Sequence, residues 1–194
     1  MQIVHKKVKI LGFVGSLRKN SYNKALMRAA MELTPQNAEL EVFDLKEIPP
    51  FNQDWESDPP PSVKEFKAKI RVADALLIAT PEYNYSIPGV LKNAMDAASR
   101  PHGDNVFGGK PVAIMSASIG RLGGARAQYH LRQTFVYLNM HPINQPEVML
   151  SQATQNIDEK GNLTNEETRK LIGQLLEELV HWTKKLAEKS KNAE

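Results

Sequence analysis

Apolar residues fall along this chain in short, nearly unbroken runs. The runs are separated by longer stretches in which apolar residues recur every three or four positions. Four runs read as strands: Val8–Val14, Leu40–Phe43, Ala75–Ala79 and Val112–Met115. The first and third are almost continuously apolar, which predicts strands of a parallel sheet covered on both faces. A shorter run, Glu147–Leu150, is a fifth candidate.

Helical patterns fill the intervals. Asn23–Leu33 is rich in Ala and Met and stops at Pro35. Ser62-Val63-Lys64-Glu65 has the spacing of a capping box and opens a helix to about Val72. Pro88 suits the first turn of a helix running to Ser99, where Pro101 ends it. Ala125–Met140 is a fourth helix, and Thr164-Asn165-Glu166-Glu167 caps a long last one. In that last helix Leu171, Leu175, Leu179, Trp182 and Leu186 form one apolar stripe, which predicts packing on the sheet.

The order is therefore five β-α units. Right-handed crossovers turn such a chain into a doubly wound open sheet. At 194 residues it suits a single domain spanning 1–194. The segment Ile48–Pro61 (IPPFNQDWESDPPP) is rich in proline and acid and reads as a surface loop. Ligands of such sheets sit at the carboxyl ends of the strands, where the strand order reverses. The residues just after strands one, three and four are thus the ones that carry information about function.

Composition narrows the choices. A chain 41% hydrophobic and 24% charged is ordinary for a soluble globular protein. The net charge of +3 comes from scattered cations rather than a stripe, which argues against nucleic acid. The absence of cysteine excludes disulfides, iron–sulfur clusters and thiol nucleophiles. Lys6 and Lys7 precede an apolar stretch as in a signal peptide, but Lys9 interrupts it, so a first strand and a cytoplasmic location are expected. No apolar run approaches the length of about 18 residues that a membrane span needs. Asn84-Tyr85-Ser86 and Asn162-Leu163-Thr164 match the glycosylation pattern and, without a secretion signal, are taken as coincidence.

After the first strand come Ser16, Arg18, Lys19, Asn20, Ser21 and Asn23. Hydroxyls, amides, a forked guanidinium and the free N–H groups of a starting helix can together cradle a phosphate. Alternatively the loop is simply polar, with Ser21 as an N-cap. Neither GxxxxGK[ST] nor G-x-G-x-x-G is present, so it is not a P-loop or a dinucleotide fingerprint.

After the third strand, Thr80-Pro81-Glu82-Tyr83-Asn84-Tyr85-Ser86-Ile87-Pro88-Gly89 suits a planar ring that needs hydrogen bonds along its edge. It equally suits a surface turn whose tyrosines pack on neighbours or on another subunit. After the fourth strand, Ser116–Arg126 contains three glycines, which permit close approach of backbone to a ligand or a flexible connection.

The missing chemistry is informative as well. The histidines at 5, 102, 130, 141 and 181 are dispersed, so no metal site is expected. There is no G-x-S-x-G elbow and no conspicuous carboxylate pair. Asn93 and Asp96, one helical turn apart, read as a solvated face. With no nucleophile and no metal, but space for a phosphate and a flat ring, a bound cofactor must carry the chemistry.

The stretches GSLRKNSYNKAL (Gly15–Leu26), TPEYNYSIPGVLKNAMDAASRP (Thr80–Pro101) and SASIGRLGGARAQYHLRQ (Ser116–Gln133) together resemble the NADPH-dependent FMN reductase family of quinone, chromate and azo-dye reductases. The likeness runs in order over roughly residues 8 to 150. It implies a flavodoxin-like α/β/α sandwich, a five-stranded parallel sheet of order 2-1-3-4-5, and FMN at the switch point. Ser16, Arg18, Ser21 and Asn23 would hold the FMN phosphate. Pro81, Glu82, Tyr83 and Asn84 would line the ring, with Ser116 and Gly120 on the adjoining wall.

NADPH, or NADH, would pass hydride to the flavin and leave. A small acceptor such as a quinone, chromate, an azo compound or free flavin would then take its place, with no side chain acting as primary acid or base. The resemblance also implies a homodimer or homotetramer, for which Tyr85, Arg126, Tyr129 and Glu147 are candidate contacts. Two other readings are a flavodoxin-type electron carrier and a non-flavin nucleotide-binding protein on the same fold. The carrier is disfavoured because the (S/T)-x-T-G-x-T loop and an acidic docking surface are both lacking.

Overall fold

The structure, a computed structural model, describes residues 6–191. His5 lies outside the described residues. Four long strands run parallel: β1 (Val8–Val14), β2 (Ala38–Phe43), β3 (Ala75–Thr80) and β4 (Pro111–Ala117). They lie in the order β2-β1-β3-β4, and the fifth position is shared by two short strands. These are β5 (His141–Pro142) and β6 (Val148–Leu150), both parallel to β4. This is the expected 2-1-3-4-5 sheet with a broken edge. The pattern of apolar residues marked only β6, because two residues, one of them proline, leave no periodicity to read. Arg132 fills the break by donating to the Ile143 carbonyl at 3.0 Å and to Asn144 Oδ1 at 3.2 Å.

Alternation along the strands explains the three layers. Ile10, Leu77, Ala79, Ala113 and Met115 face helices α1 (Tyr22–Glu32) and α6 (Glu166–Lys191). Leu11, Phe13, Leu76, Ile78, Val112 and Ile114 face α2 (Pro61–Val72), α3 (Gly89–Ala98) and α4 (Ala125–Leu138). A short α5 (Ala153–Asn156) leads from β6 towards α6. With both faces covered, the central strands need no polar side, which is why their sequences are unbroken runs. Phe66 is fully buried with its ring edge-on to Phe13 at 5.3 Å, so truncating it to alanine would cost about 3–5 kcal/mol.

Several local expectations change. The capping box at Ser62 is not formed: Pro60 is the N-cap of α2 and Ser62 already lies inside the helix. Two prolines at the start set the helical entry without a side-chain cap. Pro88 is the N-cap of α3 rather than part of its first turn. In α6 the cap is Asn165, whose Oδ1 accepts from the Thr168 N–H at 2.8 Å. Its buried face is Ile172, Leu175, Leu176, Leu179 and Val180, with Leu171 and Trp182 only half-buried. The helix is thus rotated from the expected stripe, and Trp182 donates instead to the His141 carbonyl at 3.2 Å.

Asn93 is not on a solvated face. Its amide accepts from the Phe51 N–H at 2.7 Å and donates to the Pro49 carbonyl at 2.8 Å, clamping the proline-rich loop to α3. Phe51 and Trp55 from that loop pack edge-to-face at 5.2 Å against the second core. Asp96 does face outward, paired with Lys92 at 2.8 Å. Among the described residues no helix is long and apolar enough to cross a membrane.

Candidate functional site

Gly15 leaves β1 with its N–H on the Ala79 carbonyl of β3 at 2.8 Å, so the chain enters the next loop beside the neighbouring strand end. Ser16, Lys19 and Asn20 make no hydrogen bond with the other described residues. Ser21 stands at the N-cap of α1 in extended conformation, 4% exposed, yet its side chain makes no cap bond. A capping serine ordinarily satisfies one of the free N–H groups of its helix. Here both partners are left for a ligand, and the loop carries the cations Arg18 and Lys19. Arg18 lies 4.7 Å above the Tyr22 ring, which orients its guanidinium.

Asn23 is placed differently from its neighbours. Its Oδ1 accepts from the Ala117 N–H at 2.9 Å and its Nδ2 donates to the Ala117 carbonyl at 3.0 Å. The side chain therefore ties α1 to the end of β4 and helps position the loop from behind.

The loop after β3 forms a tight turn in which Tyr83 and Ser86 exchange both backbone bonds, at 3.0 and 2.9 Å. The two central residues, Asn84 and Tyr85, are left-handed with φ of 49° and 67°. Asparagine tolerates this conformation, whereas for tyrosine it costs on the order of 1–2 kcal/mol. Such strain persists only where the surroundings impose it, and it concentrates at functional sites. Here α4 imposes it. Arg126 lies 3.6 Å over the Tyr85 ring, its Nε donates to Glu82 at 2.7 Å, and His130 meets the Ser86 hydroxyl at 2.9 Å.

Glu82 also accepts from the backbone N–H groups of Arg126 at 3.0 Å and Ala127 at 3.4 Å. It is thus the cap of α4, supplied from another loop, and its charge sits at the positive helix end. Pro81 is buried, Tyr83 is half-exposed, and Asn84 makes no hydrogen bond with the other described residues.

After β4 the chain needs two left-handed glycines, Gly123 (φ 59°) and Gly124 (φ 91°). A Cβ on Gly124 would lie 2.7 Å from Ser116 Cβ, and one on Gly123 would lie 2.6 Å from the Met149 carbonyl oxygen. Ser116 is fully buried, so it forms no exposed wall. Its hydroxyl donates to the Gly123 carbonyl at 2.6 Å and accepts from Gln128 Nε2 at 2.8 Å. It thus pins the turn from beneath, and Gly120 stands on the exposed side.

Between the two loops lies an open cavity of about 400 Å³, lined by Glu82, Asn84, Tyr85, Gly120, Arg121 and Arg126 among others. A second cavity, of about 420 Å³, lies against Arg18, Lys19, Asn20 and Ser21. The structure therefore brings Glu82, Asn84 and Gly120 together at one cavity and Arg18 and Ser21 at the other, while Ser116 and Asn23 support from inside. Tyr85 and Arg126 stack on each other at the first cavity, and the Tyr129 hydroxyl donates to Glu147 at 3.2 Å.

Gln128 and His130 carry structural roles that the sequence pattern does not assign them. The one available signal was their position within the first turns of the helix that follows the glycine pair. Among the described residues no group of three His, Asp or Glu side chains is placed to hold a metal.

Comparison with known proteins adds an independent finding. The family model described as NADPH-dependent FMN reductase matches residues 8–155. An NAD(P)H-dependent FMN reductase of Pseudomonas aeruginosa is 52% identical over 180 residues, covering 92% of this chain and 97% of that protein. A 2-hydroxy-1,4-benzoquinone reductase of a Burkholderia species is 45% identical over 177 residues, covering 91% and 97%. Among solved structures, FerB of Paracoccus denitrificans, a flavoenzyme NAD(P)H:(acceptor) oxidoreductase, superposes with a TM-score of 0.84. It is 35% identical, with 92% of this chain and 98% of that chain covered.

Proposed function

The chain belongs to the NADPH-dependent FMN reductase family, and we infer that it is an oxidoreductase that binds FMN, takes reducing equivalents from NAD(P)H and delivers them to quinones. The observation that carries this reading is the pairing of unsatisfied groups at the β1–α1 loop with an open cavity one strand away. Ser21 is a buried cap serine without a cap bond at a cavity it shares with two cations. Ser16, earlier in the same loop, is likewise unpartnered though outside that lining, and these groups fit a phosphate monoester. Asn84, with no partner of its own, faces a cavity walled by backbone and by Tyr85, which fits a flat polar-edged ring. Bound there, FMN supplies two-electron chemistry that the side chains of the site do not possess.

The residues would then divide the work. Ser16, Arg18 and Ser21, with the start of α1, hold the phosphate. Asn23 does so indirectly by fixing α1 to Ala117. Glu82 and Asn84 form the ring wall mainly through backbone, because the Glu82 carboxylate is engaged by α4, while Pro81 and Tyr83 flank them outside the cavity lining. Gly120 allows close approach on the other side, and Ser116 holds that loop in shape. The cavity is open, so nicotinamide and acceptor can occupy the same face in turn, which predicts ping-pong kinetics. The same openness would admit chromate, azo compounds or free flavin.

We also read residues 1–194 as one domain, because a single sheet is shared by both cores. A second copy is expected on the face that carries Tyr85, Tyr129, Val136 and Tyr137, which are 67%, 52%, 82% and 81% exposed. Tyr129, Val136 and Tyr137 share one side of α4 by helical spacing, and exposed apolar residues grouped near a site mark an interface.

The test is to mix purified FMN-loaded protein with NADPH and a quinone. Sustained NADPH oxidation, with parallel double-reciprocal lines when the quinone concentration is varied, is expected. A single-turnover reaction that stops would favour the electron carrier, and a protein that takes up no FMN would favour the non-flavin reading.

A further inference from the structure

The polar cavity at the β1–α1 loop has a second wall far away in sequence. Residues 157–163 form a hairpin closed by an Ile157–Leu163 bridge, and Thr154, Ile157 and the residues Asp158–Gly161 face Arg18, Lys19 and Ser21 across the cavity. The hairpin tip is rigidly made. The Asp158 carboxylate accepts from the Asn162 backbone N–H at 2.7 Å and from its side-chain amide at 3.0 Å. Gly161 sits in the left-handed region at φ 84°.

One residue fastens this tip to α1. The Arg28 guanidinium donates to the Gly161 carbonyl, bridging 133 positions of chain. A Cβ on Gly161 would displace the flexible end of that guanidinium, and the left-handed backbone at this position favours glycine in its own right.

Charge sets what the cavity takes. Four cations, Arg18, Lys19, Arg28 and Lys160, line it against two carboxylates, Asp158 and Glu159. Arg28 and Asp158 are engaged within the hairpin clasp. Lys19 and Lys160 make no ion pair with any described residue, and Arg18 is held only over the Tyr22 ring. The neutral groups that engage Arg28 and Asp158 cancel no charge, so the cavity keeps an excess of cations, beside the Ser21 hydroxyl that caps nothing.

We propose that the 157–163 hairpin is the second wall of a phosphate-monoester site, with Lys160 as its cation and Arg28 as the positioning residue that holds it against α1. The proposal rests on the reading of the β1–α1 loop as the cofactor cradle, and the monoester is the FMN tail. The ribose 2′-phosphate of NADPH is the other source of the same chemistry. Lys160 acts as an exposed charge, so its contribution is small and screened by salt. Arg28 acts by keeping the tip in place, and a lysine in its stead retains a donor for Gly161.

The experiment compares dissociation constants of FMN and of riboflavin, which lacks the phosphate, by quenching of flavin fluorescence in the apoprotein. Lys160→Ala, Arg28→Ala, Arg28→Lys and Arg18→Ala are measured beside the parent, with melting temperatures to confirm folding. Lys160→Ala and Arg28→Ala are expected to reduce the preference for FMN over riboflavin by about threefold to fivefold at low salt. Arg28→Lys restores most of it, and riboflavin affinity is unchanged. A merely structural loss would weaken both flavins alike and would overturn the proposal.

If the flavin preference holds but the ratio of KM for NADH and NADPH falls in Lys160→Ala, the site is upheld with the 2′-phosphate as its occupant. If neither ratio moves while Arg18→Ala lowers the FMN preference, the hairpin has no part in phosphate binding and the cradle stands. If Arg18→Ala also leaves that preference intact, the cradle reading falls with it.

Discussion

Glu82 holds Arg126 by two routes at once: its Oε1 accepts from the guanidinium Nε at 2.7 Å and its Oε2 from the Arg126 backbone N–H at 3.0 Å. One carboxylate therefore caps α4, aligns the arginine that stacks on Tyr85, and joins the loops that follow β3 and β4.

Replacing Glu82 by Gln keeps an acceptor but removes the charge from the helix end. A loss of about 1–2 kcal/mol in stability is expected, together with weaker FMN binding as the turn relaxes. Thermal melts and flavin titrations check it, and a double-mutant cycle with Arg126→Ala should show coupling of at least about 0.5 kcal/mol. Additive effects would mean that the two residues act separately.

Arg18→Ala removes one cation of the proposed phosphate cradle and leaves the cavity beside Tyr85 untouched. Binding of FMN should weaken by about 1.5–3 kcal/mol, the scale of a charged hydrogen bond, with riboflavin little affected. Turnover at saturating FMN should stay near that of the parent. Unchanged FMN affinity refutes the cradle.

Gly124→Ala must accept both a left-handed backbone and a Cβ placed 2.7 Å from Ser116 Cβ. The two costs together predict destabilisation of about 2–4 kcal/mol. Gly89→Ala, at the start of α3 with nothing within 4 Å of the new methyl, serves as the control and should be neutral or slightly stabilising. Equal melting temperatures for the two variants would contradict the close packing of the glycine turn.

Asp104 lies between two cations, and the Lys67 ammonium at 2.7 Å, followed by Arg71 at 2.6 Å, holds its carboxyl below the usual carboxylate range. A depressed carboxylate contributes stability that is fully present above its unfolded value of about 3.9 and is lost as pH falls through the lower folded value. Asp104→Asn should therefore lower stability at neutral pH and flatten its fall in that acid window. The loss at neutral pH should be about 1–2 kcal/mol. The Lys67 side chain is only 4% exposed and would face a neutral amide oxygen and the Arg100 carbonyl in place of a carboxylate, while the exposure of Asp104 screens part of the effect. Urea titrations at a series of pH values check both parts.

Much of the architecture was legible because parallel strands covered on both faces must be apolar throughout, and few other environments produce such runs. The continuous apolar character of Val8–Val14 and Ala75–Ala79 announced a buried parallel sheet before any contact was known. Local chemistry likewise pointed to the candidate loop after β1, since Ser16, Arg18, Lys19, Asn20, Ser21 and Asn23 crowd directly behind a buried strand, more polar side chains than a turn into a helix needs. The rotation of α6 and the cap of α2 were not legible, because both depend on small differences among near-equivalent local choices that packing resolves.

The sequence by itself thus determined the layer order, the strand order implied by its family likeness, and the strand ends at which to look. Only the tertiary structure decided which residue does what there. Asn23 and Ser116 stand where the sequence predicts ligand contacts, yet their side chains hold Ala117 and Gly123. Arg28 and Gly161, 133 positions apart, meet at one cavity wall. The physical reason is that local preference and hydrophobic period act over a few residues, whereas an amide or guanidinium bonds whatever acceptor the folded sheet brings within 3 Å of it.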